Sequence, residues 1–188
     1  MASVTDICNA ALLKIGEKRI TDAGFATPSN ERERLCSEHY ERIRDREIRK
    51  NRWNFTVTRV SIAPDETAPV FGYAYAYTLP ADCLRLIDIY ETRIYKLEGG
   101  KILTDTGTEI NIRYVKRVTV VNEMDVIFRD MLAAALAMEL IERLPNKSSL
   151  KTEVNFDYRT QMNLAASVGA LENPTEQIPE DPWISVRI

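Results

Sequence analysis

The residues of this chain that could do chemistry are few and scattered. His39 is the sole histidine, and Cys8, Cys36 and Cys83 lie far apart with no C-x-x-C pair. A three-histidine metal centre is therefore excluded, and no Cys/His set has the spacing that zinc requires. His39 falls in a charged stretch beside Tyr40, and no serine or cysteine can be paired with it as a nucleophile. The sequence contains no G-x-x-x-x-G-K-[ST], G-x-G-x-x-G or G-x-S-x-G, so neither a phosphate loop nor a nucleophile elbow is signalled. Asp82 and Asp88 are two of 28 acidic residues, a number that supplies carboxylate pairs by chance and leaves a hydrolase reading unsupported. We read the chain as non-enzymatic, with no catalytic, metal-binding or cofactor-binding residues and no cofactor.

Binding chemistry is better represented. Between Glu31 and Arg52 stand eight basic residues, Arg42, Arg46 and Arg49 among them, interleaved with six acidic ones. Pairs such as Glu38 with Arg42 and Glu41 with Arg44, three or four positions apart, favour a solvated or interfacial helix face. A grip on nucleic acid needs a one-sided stripe, so a nucleic-acid-binding module built on this Arg-rich helix is the alternative and a contact with another copy the preferred reading. Tyr73, Tyr75 and Tyr77 alternate along one strand face. Stacking on bases would want basic neighbours, and none lie between Arg59 and Arg85, so core or subunit interface is the better reading.

The elements that must position these residues follow from the apolar period. Thr5 is placed to cap a first helix carrying Ile7, Ala10, Ala11 and Ile15 and ended by Gly16. The following connection reads as a loop plugged by Phe25. Asn30-x-x-Glu33 has the capping-box arrangement, opening a second helix that runs to about Asn51. At Trp53 and Phe55 the apolar period changes from about 3.6 to 2, and these rings form the wedge at the switch. Strands are expected over 55–62 (with a bulge between Val57 and Val60), 73–79, 85–90, 92–97, 101–104 and 109–116. Turns at 98–100 and 105–107 join the last three into an antiparallel meander whose Gly99-Gly100 tip projects. Residues 125–144 form a third helix, apolar on every side through MLAAALAM and therefore central. Ser148 or Ser149 caps a fourth helix to about Leu171, with Leu150, Val154, Tyr158, Met162 and Ala165 as its packing stripe. The predicted fold is α+β: a four-helix bundle from 1–53 and 117–172, an inserted small antiparallel β domain (sheet or open barrel) over 54–116, and an extended C-terminal docking tail over 173–188.

Composition sets the outer bounds. The chain has 188 residues, 45% of them hydrophobic and 28% charged, which suits one ordinary domain or two sharing a boundary. A net charge of −3 argues against a protein that holds nucleic acid over its whole surface. Sparse, unpaired cysteines suggest reduced core thiols, and the N-terminus lacks the pattern of a signal peptide. The expectation is a soluble protein made in the cytoplasm, with no membrane partner.

Two blocks carry a resemblance. N-A-A-L-L-K-I-G-E at 9–17 with I-T-D at 20–22, and R-W-N-F followed by Y-A-Y-T-L-P-A-D-C-L-R at 75–85, resemble the tail tubular protein A family of head-to-tail adaptors in short-tailed bacteriophages. P-W-I-S-V-R at 182–187 is similar to the ending of that family. The resemblance implies a helical bundle with an inserted β domain, and a dodecameric ring at the head-tail junction of the virion, joining portal to tail and continuing the DNA channel. It also implies partners: the portal protein, a downstream tail or nozzle protein, and other copies of the chain, with genomic DNA passing through without specific binding. On that reading Trp183, Ile184 and Arg187 are portal contacts. Arg42, Arg46, Arg49, Tyr73 and Tyr75 are subunit contacts, and Gly99 and Gly100 meet the next tail component.

Overall fold

The protein was analysed as a computed structural model, which describes residues 2–144 and 148–172. The fold is α+β, with five helices and two three-stranded antiparallel sheets among the described residues.

Helix α1 (Val4–Lys14) is capped by Ser3, not Thr5. The Ser3 hydroxyl accepts from the Asp6 amide at 3.1 Å and the Asp6 carboxylate accepts from the Ser3 amide at 2.8 Å, while Thr5 is buried. Gly16, with φ at 67°, turns the chain where a side chain would be strained. Residues 22–26, expected as loop, form a short helix α2 (Asp22–Ala26). Five residues are too few to show a helical period, and the turn is held by its Thr21 cap and by Phe25, whose ring meets Tyr40 edge-on at 6.3 Å. Helix α3 (Glu31–Lys50) begins at the expected cap: Asn30 accepts from the Glu33 amide. Glu33 itself reaches one residue further back, to the amide and hydroxyl of Ser29, both at 2.8 Å.

After Trp53 the strands separate into two sheets. β1 (Val57–Ile62), β6 (Ile110–Lys116) and β3 (Cys83–Ile89) form one, in that order, and β2 (Tyr75–Thr78), β5 (Lys101–Thr104) and β4 (Lys96–Glu98) the other. The expected single meander is thus corrected. β4 and β5 make the predicted hairpin, but β5 pairs with β2, and β6 pairs with β1 and β3. The bulge is also elsewhere: β1 runs in unbroken register with β6, and the irregularities fall in β3, at 83/85 and 86/88. At the β4–β5 tip Gly99 and Gly100 both have positive φ, 57° and 77°, the conformation a two-residue type I′ hairpin needs.

The sheets share a core made by Tyr77 and Ile102 from one and Ile89, Ile110, Ile112 and Tyr114 from the other. Val115, on the opposite face of β6 from Tyr114, joins the helical core instead. β6 therefore contributes to both cores. In the helical core, α4 (Val126–Ile141) is buried on all sides from Met131 to Ala137, as expected, and α1, α3 and α5 (Lys151–Glu172) pack on it. Trp53 closes the junction, its ring 4.9 Å from Phe128 of α4, with Phe55 5.1 Å from the same ring.

One polar node lies inside this packing. Glu47 of α3 is fully buried; its carboxylate accepts from Arg46 Nε at 2.9 Å, Lys50 Nζ at 2.8 Å and the Tyr158 hydroxyl of α5 at 2.8 Å. Its backbone carbonyl accepts from Trp53 Nε1 at 3.1 Å. Removing the carboxylate takes the acceptor from Arg46 and the Tyr158 hydroxyl and leaves Lys50 only the Tyr158 oxygen, at 3.2 Å. We expect Glu47→Ala to cost about 3–5 kcal/mol and Tyr158→Phe, which deletes one donor, about 1 kcal/mol. Urea unfolding midpoints measure both, and equal effects would show that the carboxylate is not the node.

Candidate functional site

The structure distributes the sequence-predicted contact residues over separate places. Arg42, Arg46 and Arg49 lie along α3, and each has a partner within the chain. Glu139 of α4 accepts from Arg42 at 2.8 Å and lies 3.7 Å from Arg46, while Arg49 donates to the Leu84 carbonyl of β3. The predicted pairing of Glu38 with Arg42 is replaced by Arg34 with Glu38 at 3.3 Å. Arg44, expected on the charged face with Glu41, is buried and pairs with Asp45, whose other oxygen accepts from Arg117 beyond β6 at 2.8 Å. Much of the mixed charge on α3 thus ties this helix to α4 and to the β sheet. Sequence periodicity could place these residues on the helix but not name their partners, which come from distant segments.

The tyrosine strand divides likewise. Tyr77 is fully buried and its hydroxyl donates within the 106–108 turn, Tyr75 stands at the sheet surface against Gly107, and Tyr73 precedes β2. Gly99 and Gly100 occupy an exposed hairpin tip with open space around both. Trp183, Ile184 and Arg187, with the tail that carries them, lie outside the described residues, as does Pro145.

The chemistry-bearing residues do not converge. His39 holds its Nδ1 3.3 Å from Arg42; burial, then the charges of Arg143 and Arg42, push its pKa down, which disfavours its protonated form. Cys8 and Cys36, far apart in sequence, meet between α1 and α3 as free buried thiols, and their hydrogen bond together with burial raises the Cys8 pKa. Cys83 is half-buried in β3. Among the described residues no group of three or more His, Cys, Asp or Glu is placed to hold a metal ion, and no helix is long and apolar enough to cross a membrane.

Two surface features escaped the sequence reading. A cleft of about 550 Å³ opens where Trp53 and Phe55 meet Met124, Met162 and Ala165, with Arg52 and Glu123 on its walls. Large apolar side chains are also exposed in the strand-rich segment, led by Val70 and Phe71, 98% and 86% exposed in the loop between β1 and β2. The signal for the second was present as a hydrophobic pair inside a Pro- and Gly-punctuated loop. Compared with models of known protein families and with curated protein sequences, the chain matches none.

Glu139 supplies a testable charge contact. Burial raises its pKa, but hydrogen bonds from Arg143 and Arg42 and the charge of Arg42 outweigh burial and hold the carboxyl below its ordinary value. A depressed folded-state pKa contributes stability above the unfolded value, near 4.3, and loses it as pH falls through the folded one. Glu139→Gln should therefore destabilise by no more than about 1 kcal/mol at neutral pH, the range of exposed ion pairs. The deficit should begin to shrink as pH falls to the unfolded value and vanish only below the lower folded one; a pH series of urea midpoints checks it, and a deficit that persists in strong acid would assign the effect to packing.

Proposed function

We propose that this chain is a head-to-tail adaptor of a short-tailed bacteriophage: a virion structural protein whose copies form a ring between portal and tail and continue the DNA channel. The observation that carries the reading is the order of elements. Helices α1 and α3, six strands, then α4 and α5 follow one another as the resemblance implies. In this reading α1, α3, α4 and α5 are the rods of a four-helix bundle, 54–116 its inserted β domain, and 173–188 a tail that docks on the portal through Trp183, Ile184 and Arg187.

Two further observations support it. Large apolar side chains left in water at Val70, Phe71, Ile94 and Leu97 suit a subunit that meets neighbours. A net charge of −3 suits a conduit past which a polyanion slides, since few counterions are released to hold it. Ring contacts are heterologous, one patch meeting a different one. Arg42, Arg46 and Arg49 on α3 and, apart from them, Tyr73 and Tyr75 at the start of β2 are assigned as separate contacts to neighbouring copies, the arginines also holding partners within the chain. The Gly99–Gly100 tip is assigned to the downstream tail protein.

The deciding experiment mixes the purified chain with portal rings and follows co-sedimentation and particle images. A ring seated on the portal is expected, with binding weakened at least tenfold by Trp183→Ala while the far-ultraviolet circular dichroism is unchanged. Failure of the unmodified chain to bind portal rings of its own virus would overturn the proposal.

A further inference from the structure

We propose that the cleft beside the β1–β6–β3 sheet binds single-stranded nucleic acid, with Arg59, Arg93 and Arg113 taking the phosphodiester backbone and Tyr90 stacking on an unpaired base. The cleft measures about 930 Å³ and brings these arginines and Tyr90 together from β1, β6 and the segment after β3. Sequence distance hides this arrangement. A tyrosine that stacks on bases wants basic neighbours; Arg93 follows Tyr90 closely in sequence, and strand pairing brings up Arg59 and Arg113 from distant segments.

Arg59 lies directly opposite Arg113 in the β1–β6 register. Like charges so placed cost the free protein stability, a cost that a bound anion relieves. Asp88 offsets part of this charge, accepting from Arg113 Nε through both oxygens at 3.2 and 3.1 Å. Glu91, just outside the cleft, directs its oxygens at the Asn111 amide and side chain, at 2.8 and 2.5 Å. Among the described residues no carboxylate is within ion-pair distance of Arg59 or Arg93, so the cleft retains positive charge. The arginines of α3, the alternative nucleic-acid surface in the sequence, are by contrast largely engaged with Glu38, Glu47, Asp45 and Glu139.

Tyr90 decides the class of anion. Its ring is 88% exposed at the cleft, with Tyr95 half-buried nearby. An acidic polypeptide would satisfy the arginines and make no use of an aromatic face held in water. A nucleic-acid strand uses both: phosphates meet guanidinium groups, and an unpaired base covers the ring without regard to its identity. Binding of this kind is weak, sequence-tolerant and salt-dependent. It is independent of the adaptor reading: a chain that seats on portal rings without binding oligonucleotide loses this inference alone, and one that does the reverse loses only the other.

The test is fluorescence anisotropy of a labelled oligothymidylate titrated with the full chain at low salt. Three phosphate contacts predict a slope of log affinity against log salt of about −2, at roughly −0.7 per contact. Arg59→Gln with Arg93→Gln should weaken binding at least tenfold and flatten the slope to about −0.7. Tyr90→Ala should weaken it by about tenfold with the slope unchanged. Arg34→Gln on α3 should bind as the parent does. Arg93→Gln alone, outside the strands, serves if the double variant fails to fold, and should remove about a third of the slope. No binding at low salt, an equal loss on Arg34→Gln, or displacement by polyglutamate as effective as by unlabelled oligonucleotide would each overturn the proposal, the last by assigning the cleft to acidic polypeptide.

Discussion

A carboxylate removed from water must find its hydrogen bonds inside the protein, and the helical half of this structure is arranged around that requirement at Glu47. Its partners come from its own helix and from α5, and its backbone carbonyl takes the indole of Trp53. The side chain thus joins the last turn of α3 to the middle of α5, while the peptide unit holds the ring that ends the helical segment and leads into the strands. Apolar packing around α4 supplies most of the cohesion, but it is non-directional. The Glu47 contacts add direction, because they are satisfied only when α3, α5 and Trp53 hold one relative placement.

The same junction explains how one chain supports two kinds of core. Trp53, Phe55 and Phe128 fill the space between the end of α3, the start of β1 and the first turns of α4, with Trp53 and Phe55 each edge-on to Phe128 and tilted to one another. Asp45 works alongside them, holding Arg44 on one oxygen and Arg117 on the other, so that the chain leaving β6 returns to the helix from which the strand-rich segment departed. Departure and return lie close together, since Val57 at the start of β1 pairs with Val115 near the end of β6.

Much of this was legible in the residues. The change of period at Trp53, the cap at Asn30, the all-round apolar α4 and the Val154 to Ala165 stripe of α5 follow from local pattern, because each is decided by neighbours within a turn or two. What local pattern missed was pairing. The strands over 92–97, 101–104 and 109–116 look like one meander because consecutive strands usually pair, yet β5 pairs with β2 as well as β4, and β6 goes to β1 and β3. Those choices rest on the burial of Tyr77 and Ile102 against Ile110 and Ile112, contacts no short window contains. The charged face of α3 misled for a similar reason. Arg42 and Arg46 look solvated beside their helical neighbours, but Glu139, nearly a hundred residues on, stands across from them. The candidate contact residues are identified by type, and only the fold reveals that most arginines of α3 are engaged, that Arg113 of the β1–β6–β3 cleft is paired with Asp88, and that Arg59 and Arg93 there have no carboxylate within ion-pair distance among the described residues.

β6 carries a consequence for how the chain tolerates recombination. Its even-numbered residues Ile110, Ile112 and Tyr114 belong to one interior and Val115 to the other, so consecutive positions of a single strand answer to different neighbours. A chimaera that imported the strand-rich segment from a relative would carry foreign side chains into the helical interior with it. The seam between the two interiors therefore crosses this strand near its end, where Tyr114 and Val115 face different cores, and that pair couples the two halves.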